Sequence, residues 1–158
     1  MNSDIILIRP VRTGKSTIGK LLTERLGIPH VPLDGLRWEY YKEIGYDAEL
    51  AQCIRETAGF VALVYYWKQF DVHAVERVLE DHRDCVFDFG AGHSIYDSQE
   101  QFARVQAAFA PYPNVVLIQP SPDHDKSIRI LNQRTTDLIG AFGQGYNWHE
   151  HFVMHPSN

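Results

Sequence analysis

The sequence predicts an α/β fold in which a mostly parallel central sheet is covered by helices. Three observations predict it. Short apolar runs at Asp4–Ile8, Cys85–Phe89 and Asn114–Ile118 alternate with longer stretches of helical period. The first two are nearly continuous in apolar residues, as strands buried on both faces require. Residues suited to phosphate and proton chemistry fall just after such runs, at the strand ends where open parallel sheets bind ligands.

The bulk properties narrow the function. A chain of 158 residues supports one domain, predicted over residues 1–158. Apolar residues at 44% and charged residues at 22% match a soluble globular protein. The formal charge is −5 and Lys and Arg form no run, so no nucleic-acid-tracking surface is expected, though a local basic pocket is compatible with this. No apolar run approaches the ~20 residues of a membrane span, and acidic Asp4 stands where a signal peptide would be basic. Cys53 and Cys85 lack metal or redox spacing, which predicts a reduced, cytoplasmic setting. The sequence leaves the oligomeric state open.

The elements follow in order. Asp4–Ile8 is β-branched and apolar, a buried strand. In Lys15–Leu26, Ile18, Leu21, Leu22 and Leu26 recur at helical spacing, and Gly27 ends the run. His30–Leu33 is at most a brief strand between prolines. Residues 36 to 82 read as helical in at least two pieces, one capped by Asp47 and broken at Gly59. Asp71 is read as the cap of the other, with Val72, Val75, Val78 and Leu79 facing inward. Cys85–Phe89 ends at the turn Gly90-Ala91-Gly92. A helix over Gln99–Phe109, a strand over Asn114–Ile118 and a helix over Asp123–Ile139 complete the pattern. From Gly140 onward the sequence reads as loop.

Thr13-Gly14-Lys15-Ser16-Thr17 follows a strand and opens a helix, the context a phosphate-binding loop requires. Gly14 lets the backbone approach phosphate, Lys15 supplies a mobile cation for the β- and γ-phosphates, and Ser16 offers a hydroxyl to Mg²⁺. The helix dipole adds attraction for the anion. Arg9 replaces the first glycine of G-x-x-x-x-G-K-[ST], and Arg12 occupies an inner loop position as a further candidate phosphate cation. A nucleotide-free strand–turn–helix is the competing reading.

With "DIILIRPVRTGKSTIGKLLTERLGIPHVPLDGL", "DCVFDFGAGHSIY" and "NVVLIQPSPDHDKSIRILNQR" in view, the chain resembles the P-loop small-molecule kinases, most closely the shikimate kinase group. The resemblance implies a three-layer α/β/α P-loop NTPase fold with a five-stranded parallel sheet, ATP and Mg²⁺ as cosubstrates, and phosphoryl transfer to a small hydroxylated metabolite. It puts Gly14, Lys15, Ser16 and Thr17 on phosphate, and Asp34 on the acid that orients the accepting hydroxyl, with Pro32 in place of that element's first acid. It sets Gly90, Ala91 and Gly92 against the substrate, Asp88 by the metal's water shell, and Arg129 and Arg134 at the mobile lid.

The sequence departs from the group in three places. Asp71 follows Phe70 where the group carries an arginine, with only Lys68 nearby, which weighs against shikimate itself as acceptor. Residues 37 to 69 are rich in aromatics, which suggests a different acceptor pocket. The group closes with a further strand and helix, and this sequence, ending at "HPSN", is expected to lack them.

Several residues keep a second reading. Asp34 could equally cap the helix that begins at "GLRWEYY". Asp88, an acid inside an apolar strand, is costly to bury without a metal or hydrogen-bond role, and a buried turn contact is its other reading. Most helix arginines are solvated, Arg129 and Arg134 included. The aromatic set from Trp38 to Trp67 reads more simply as packing. His149, His151 and His155 read as a solvated tail instead of a metal site. The expectation is an ATP-dependent kinase, with a non-catalytic nucleotide- or anion-binding protein as the alternative and an interaction fold built on the aromatic helices as a third.

Overall fold

The computed structural model describes residues 4–8, 13 and 15–142, with the backbone alone at Lys15, Ser16 and residues 135–142. Strand β1 (Ile5–Ile8) is followed in the chain by α1 (Lys15–Leu26). Strand β2 (His30–Pro32) follows, then α2 (Leu33–Glu43) and the long α3 (Ala48–Asp81). After β3 (Val86–Asp88) come a single 3-10 turn (Ala91–His93), α4 (Gln99–Phe109), β4 (Val115–Leu117) and α5 (His124–Phe142). Among the described residues the sheet has four strands, in the order β2-β3-β1-β4, where five were expected. Every pairing is parallel, with Ile6 opposite Phe87 and Val115, and Val31 opposite Phe87. Strands β3 and β4 are shorter than their apolar runs, since only three residues of each enter the ladder.

Central β1 and β3 are buried as their composition requires. Ile6, Val86, Phe87 and Phe89 have no exposure, and each such side chain contributes about 1.5–3 kcal/mol by leaving water. Phe87 and Phe89 stack at 6.0 Å, and Phe89 stacks again on Phe109 of α4. Asp4, ahead of β1, accepts a hydrogen bond from the Cys85 amide at 3.0 Å, tying the starts of β1 and β3 together. Burial and that neighbouring carboxylate push the Cys85 thiol up to about 12.

Helix α3 bears out part of its sequence reading and corrects the rest. The Asp47 carboxylate accepts from the Glu49 and Leu50 amides at 2.9 and 3.0 Å, as an N-cap should. Val72, Val75, Val78 and Leu79 are buried in the core. Gly59 breaks the run into two helical pieces, as read from the sequence, with a non-helical φ of +85 that disfavours any side chain. Asp71 caps nothing: it lies within the helix and its side chain is buried.

Helix α1 also departs from its leucine pattern. Leu21 and Leu26 are 58% and 50% exposed, while Gly19 is buried against the His30 ring. A Cβ on Gly19 would lie 2.7 Å from His30 Nε2, so the closest approach of α1 to β2 depends on a missing side chain. Gly27 ends the helix at φ +67. At the other end of the chain, α5 runs through Gly140 to Phe142, past the boundary expected from sequence.

Candidate functional site

The carboxyl ends of the strands carry the candidate residues. Between the end of β1 at Ile8 and the start of α1 at Lys15, Thr13 is buried. Arg9, Arg12 and Gly14 lie outside the described residues, as do the side chains of Lys15 and Ser16. The tail histidines His149, His151 and His155 lie outside them too. Thr17 is exposed on the first turn of α1, and that turn holds no acidic residue. The positive end of the helix dipole is therefore not offset by a carboxylate of its own first turn, which favours an incoming anion.

Asp34 stands at the end of β2, in the first turn of α2. It is not the helix cap: that position is Pro32, and no side chain caps the helix. The Asp34 carboxylate lies against the glycine turn that follows β3. A Cβ built on Gly90 would fall 2.7 Å from Asp34 Oδ1 and 2.9 Å from Oδ2. Gly90 itself has φ −66, an ordinary conformation, so its constraint is space and not backbone strain. Gly90→Ala should therefore leave the unfolding midpoint unchanged or slightly raised, since alanine restricts the unfolded chain. The added methyl should displace the Asp34 carboxylate from the turn. Thermal unfolding of the variant checks this, and a clearly lowered midpoint would mean that the carboxylate cannot move aside.

Behind Asp34 lies a buried polar cluster. His93, fully buried in the 3-10 turn, places Nδ1 3.5 Å from Asp34 Oδ1 and Nε2 3.3 Å from Asp71 Oδ1. Asp71 also accepts a hydrogen bond from the Tyr41 hydroxyl. Lys68, one turn before Asp71, donates to the carbonyls of Gly92 and Ile95, both at 2.7 Å, and lies 3.8 Å from Asp71 Oδ2. The lysine thus ties α3 to the last glycine of the turn and to the segment just after it. Arg37, one turn after Asp34, stacks its guanidinium over Trp38 at 4.4 Å and Trp67 at 5.0 Å. Many of the aromatics noted in the sequence pack as one ring cluster: Trp38 meets Tyr41, Tyr46 and Trp67, and Tyr41 and Tyr46 meet each other and Phe70 in edge and tilted contacts.

Burial sets the charge states here. Desolvation holds the His93 imidazole below its ordinary value, partly offset by Asp71 and Asp34, with Arg37 and Lys68 adding to the depression. Burial likewise lowers Lys68 and, with Asp71 close by, raises Tyr41 well above the usual phenol range. The folded chain therefore binds fewer protons at His93 than the unfolded chain just below the ordinary histidine value of about 6.5. Stability should fall as pH drops through that value and level off below the depressed folded one. Urea midpoints measured between about pH 7.5 and 5 should show this loss, and His93→Gln should remove part of it.

Asp88, at the end of β3, is buried, with Oδ2 3.4 Å from His30 Nε2. It sits two residues before Gly90, on the strand next to β1. The structure thus brings together Asp34, Gly90, His93 and Asp71, with Asp88 at the adjoining strand end. Arg129 and Arg134 occupy exposed positions on α5. Sequence reasoning missed His93, Asp71 as a buried acid, Arg37 and His30. The signal available for His93 was its place directly after Gly-Ala-Gly.

For a magnesium ion the donors fit in kind. Mg²⁺ takes hard oxygen ligands, commonly one or two carboxylates with phosphates and water, and the buried Asp88 carboxylate is such a donor. Among the described residues no cluster of three or more His, Cys, Asp or Glu side chains forms an all-protein metal cage. None of the described helices is long and apolar enough to cross a membrane.

No family model matches the sequence, and no curated protein matches it. Solved structures do. The shikimate kinase of Acinetobacter baumannii, in complex with shikimate, aligns over 91% of this chain and 83% of its own, at 18% identity and a TM-score of 0.50. The shikimate kinase of Aquifex aeolicus aligns over 87% of this chain and 99% of its own, at 18% identity and a TM-score of 0.42. That of Bacteroides thetaiotaomicron aligns over 88% and 80%, at 18% identity and a TM-score of 0.41. The chain has a shikimate kinase-like P-loop kinase fold, α/β with a parallel sheet.

Proposed function

We propose that this chain is an ATP-dependent kinase that transfers the γ-phosphoryl group of ATP to a hydroxyl of a small metabolite. The observation that carries the reading is the seat of Asp34. Its carboxylate rests on Gly90 at the carboxyl edge of the sheet, on the side of the fold where the G-K-S-T segment opens α1.

In this reading the amides around Thr13 and Gly14, with Lys15 and Thr17, hold the phosphates, and Arg12 adds a cation beside them. Ser16 and Asp88 would hold Mg²⁺, which when bound neutralises charge on the β- and γ-phosphates. Asp34 orients the acceptor hydroxyl and takes its proton. Gly90, Ala91 and Gly92 line the acceptor's side of the site, with the Asp34 carboxylate resting on Gly90. Arg129 meets the nucleotide, and Arg134 the charge that develops during transfer. Most of the catalysis is placement and electrostatics, as phosphoryl transfer allows.

The acceptor pocket differs from one built for a carboxylated ring through an arginine at position 71. Here that position holds an acid already engaged by Tyr41, His93 and Lys68. An isothermal titration with Mg·ATP, followed by ADP release across a panel of hydroxylated metabolites with shikimate included, tests the reading. Acceptor-dependent ADP release supports it. ATP binding without acceptor-dependent ADP release supports the second reading, a non-catalytic nucleotide-binding protein, which Arg9 in place of the first loop glycine favours.

A further inference from the structure

One groove among the described residues, about 700 Å³, is lined in part by His73, Arg77 and Arg104. Those side chains already pair with Glu43, Glu80 and Glu76. The buried cluster behind Asp34 is different, because it places a titratable ring between two carboxylates that differ in their access to water. The His93 and Asp71 side chains are 0% and 4% exposed, whereas Asp34 is 57% exposed. A proton on the ring therefore exchanges with the site through Asp34.

We propose that His93 is a positioning residue for Asp34: it holds that carboxylate against the glycine turn and takes up the proton that Asp34 removes from the acceptor. This rests on the kinase reading above. A neutral imidazole has one N–H to give. Asp71 Oδ1 is the nearer carboxylate oxygen, at 3.3 Å, and it belongs to a group that also accepts from the Tyr41 hydroxyl and faces the Lys68 ammonium. Nε2 therefore carries the proton, and the Nδ1 lone pair faces Asp34 Oδ1. Neither ring nitrogen makes an aligned hydrogen bond in this state. A lone pair opposite a carboxylate is a vacancy for a proton, and filling it turns a repulsion into an ion pair.

The step balances as follows. The acceptor O–H bond breaks as its oxygen bonds to the γ-phosphorus, and the bond from that phosphorus to the β–γ bridging oxygen breaks, releasing ADP. The hydroxyl proton passes to Asp34 and on to Nδ1 of His93. After product leaves, it returns through Asp34 to water. The charged groups acting on the ring are Asp71 and Lys68 from α3 and Asp34 and Arg37 from α2. Burial above all, with the two cations adding to it, disfavours a permanently charged imidazolium, so the ring resets to neutral. Short-lived uptake needs that balance.

The test uses the full chain labelled with ¹⁵N-histidine, its His93 resonances assigned by their loss in His93→Gln. At neutral pH the ring should be a neutral Nε2–H tautomer. Asp34→Asn should move its titration midpoint to lower pH, and Asp71→Asn should change the tautomer. In ADP-release assays with the best acceptor of the metabolite panel, His93→Gln and His93→Asn should each lose about 10- to 100-fold in kcat with KM changed less than about threefold, and should reshape the acid limb of the pH profile. A His93 titration indifferent to Asp34→Asn overturns the proposal. So does either variant with a native pH profile, since an amide can hold Asp34 but cannot accept its proton. Absence of ADP release from the unaltered chain with every acceptor overturns the kinase reading instead, and the NMR coupling, which needs no turnover, tells the two failures apart.

Discussion

Lys15→Ala is expected to reduce acceptor-dependent ADP release by on the order of 10³-fold, with the unfolding midpoint held or slightly raised. The two halves of that expectation have separate causes. Phosphoryl transfer places growing charge on the β–γ bridge, and a mobile ammonium there is worth roughly 4 kcal/mol of barrier at that fold-change. Lys15 is the first residue of α1, a helix with no acid in its first turn. A cation at the positive end of a helix dipole is unfavourable, and alanine is the strongest helix former. Steady-state kinetics alongside thermal unfolding reads both, and full turnover in the variant would end the kinase reading.

The largest stability effect is expected at Lys68. Lys68→Met keeps the length and apolar stem of the side chain but leaves the Gly92 and Ile95 carbonyls without their donor and Asp71 without the ammonium 3.8 Å away. Breaking a buried pair from one side costs about 3–5 kcal/mol, because the remaining partner stays desolvated. For a chain of this size that lowers the melting temperature by roughly 6–15 °C. The variant should also lose activity, because the glycine turn that seats Asp34 is anchored through this lysine. Urea denaturation at neutral pH measures the first effect. A loss below about 1 kcal/mol would mean that the ammonium had been as well solvated in the unfolded chain as it is bound here.

Local features of this chain were legible in its sequence. Asp47 reads as a cap because its partners lie two and three residues on. Val72, Val75, Val78 and Leu79 read as an inward face because one helix carries them all. What could not be read was built from distant parts. Asp71 looks like another cap in the sequence, yet its hydroxyl partner, Tyr41, is 30 residues away on another helix. His93 gained its meaning only when the glycine turn, α2 and α3 met around it. Leu21 and Leu26 followed helical spacing, but α1 approaches the sheet through Gly19 and the His30 ring, and those leucines were left outside. The candidate phosphate and acceptor residues were proposed from motif and strand-end position. The residues that hold them in place were not.

The pairing of Cys85 with Asp4 has a practical consequence. Cys53 is exposed, while Cys85 is buried and its thiol is pushed up to about 12. Near neutral pH an alkylating reagent should therefore tag the native chain once, on α3 at Cys53, because the thiolate is the reactive form. A second tag requires β1 and β3 to part. Counting added mass over time converts that buried sulfur into a clock for how often the centre of the sheet opens.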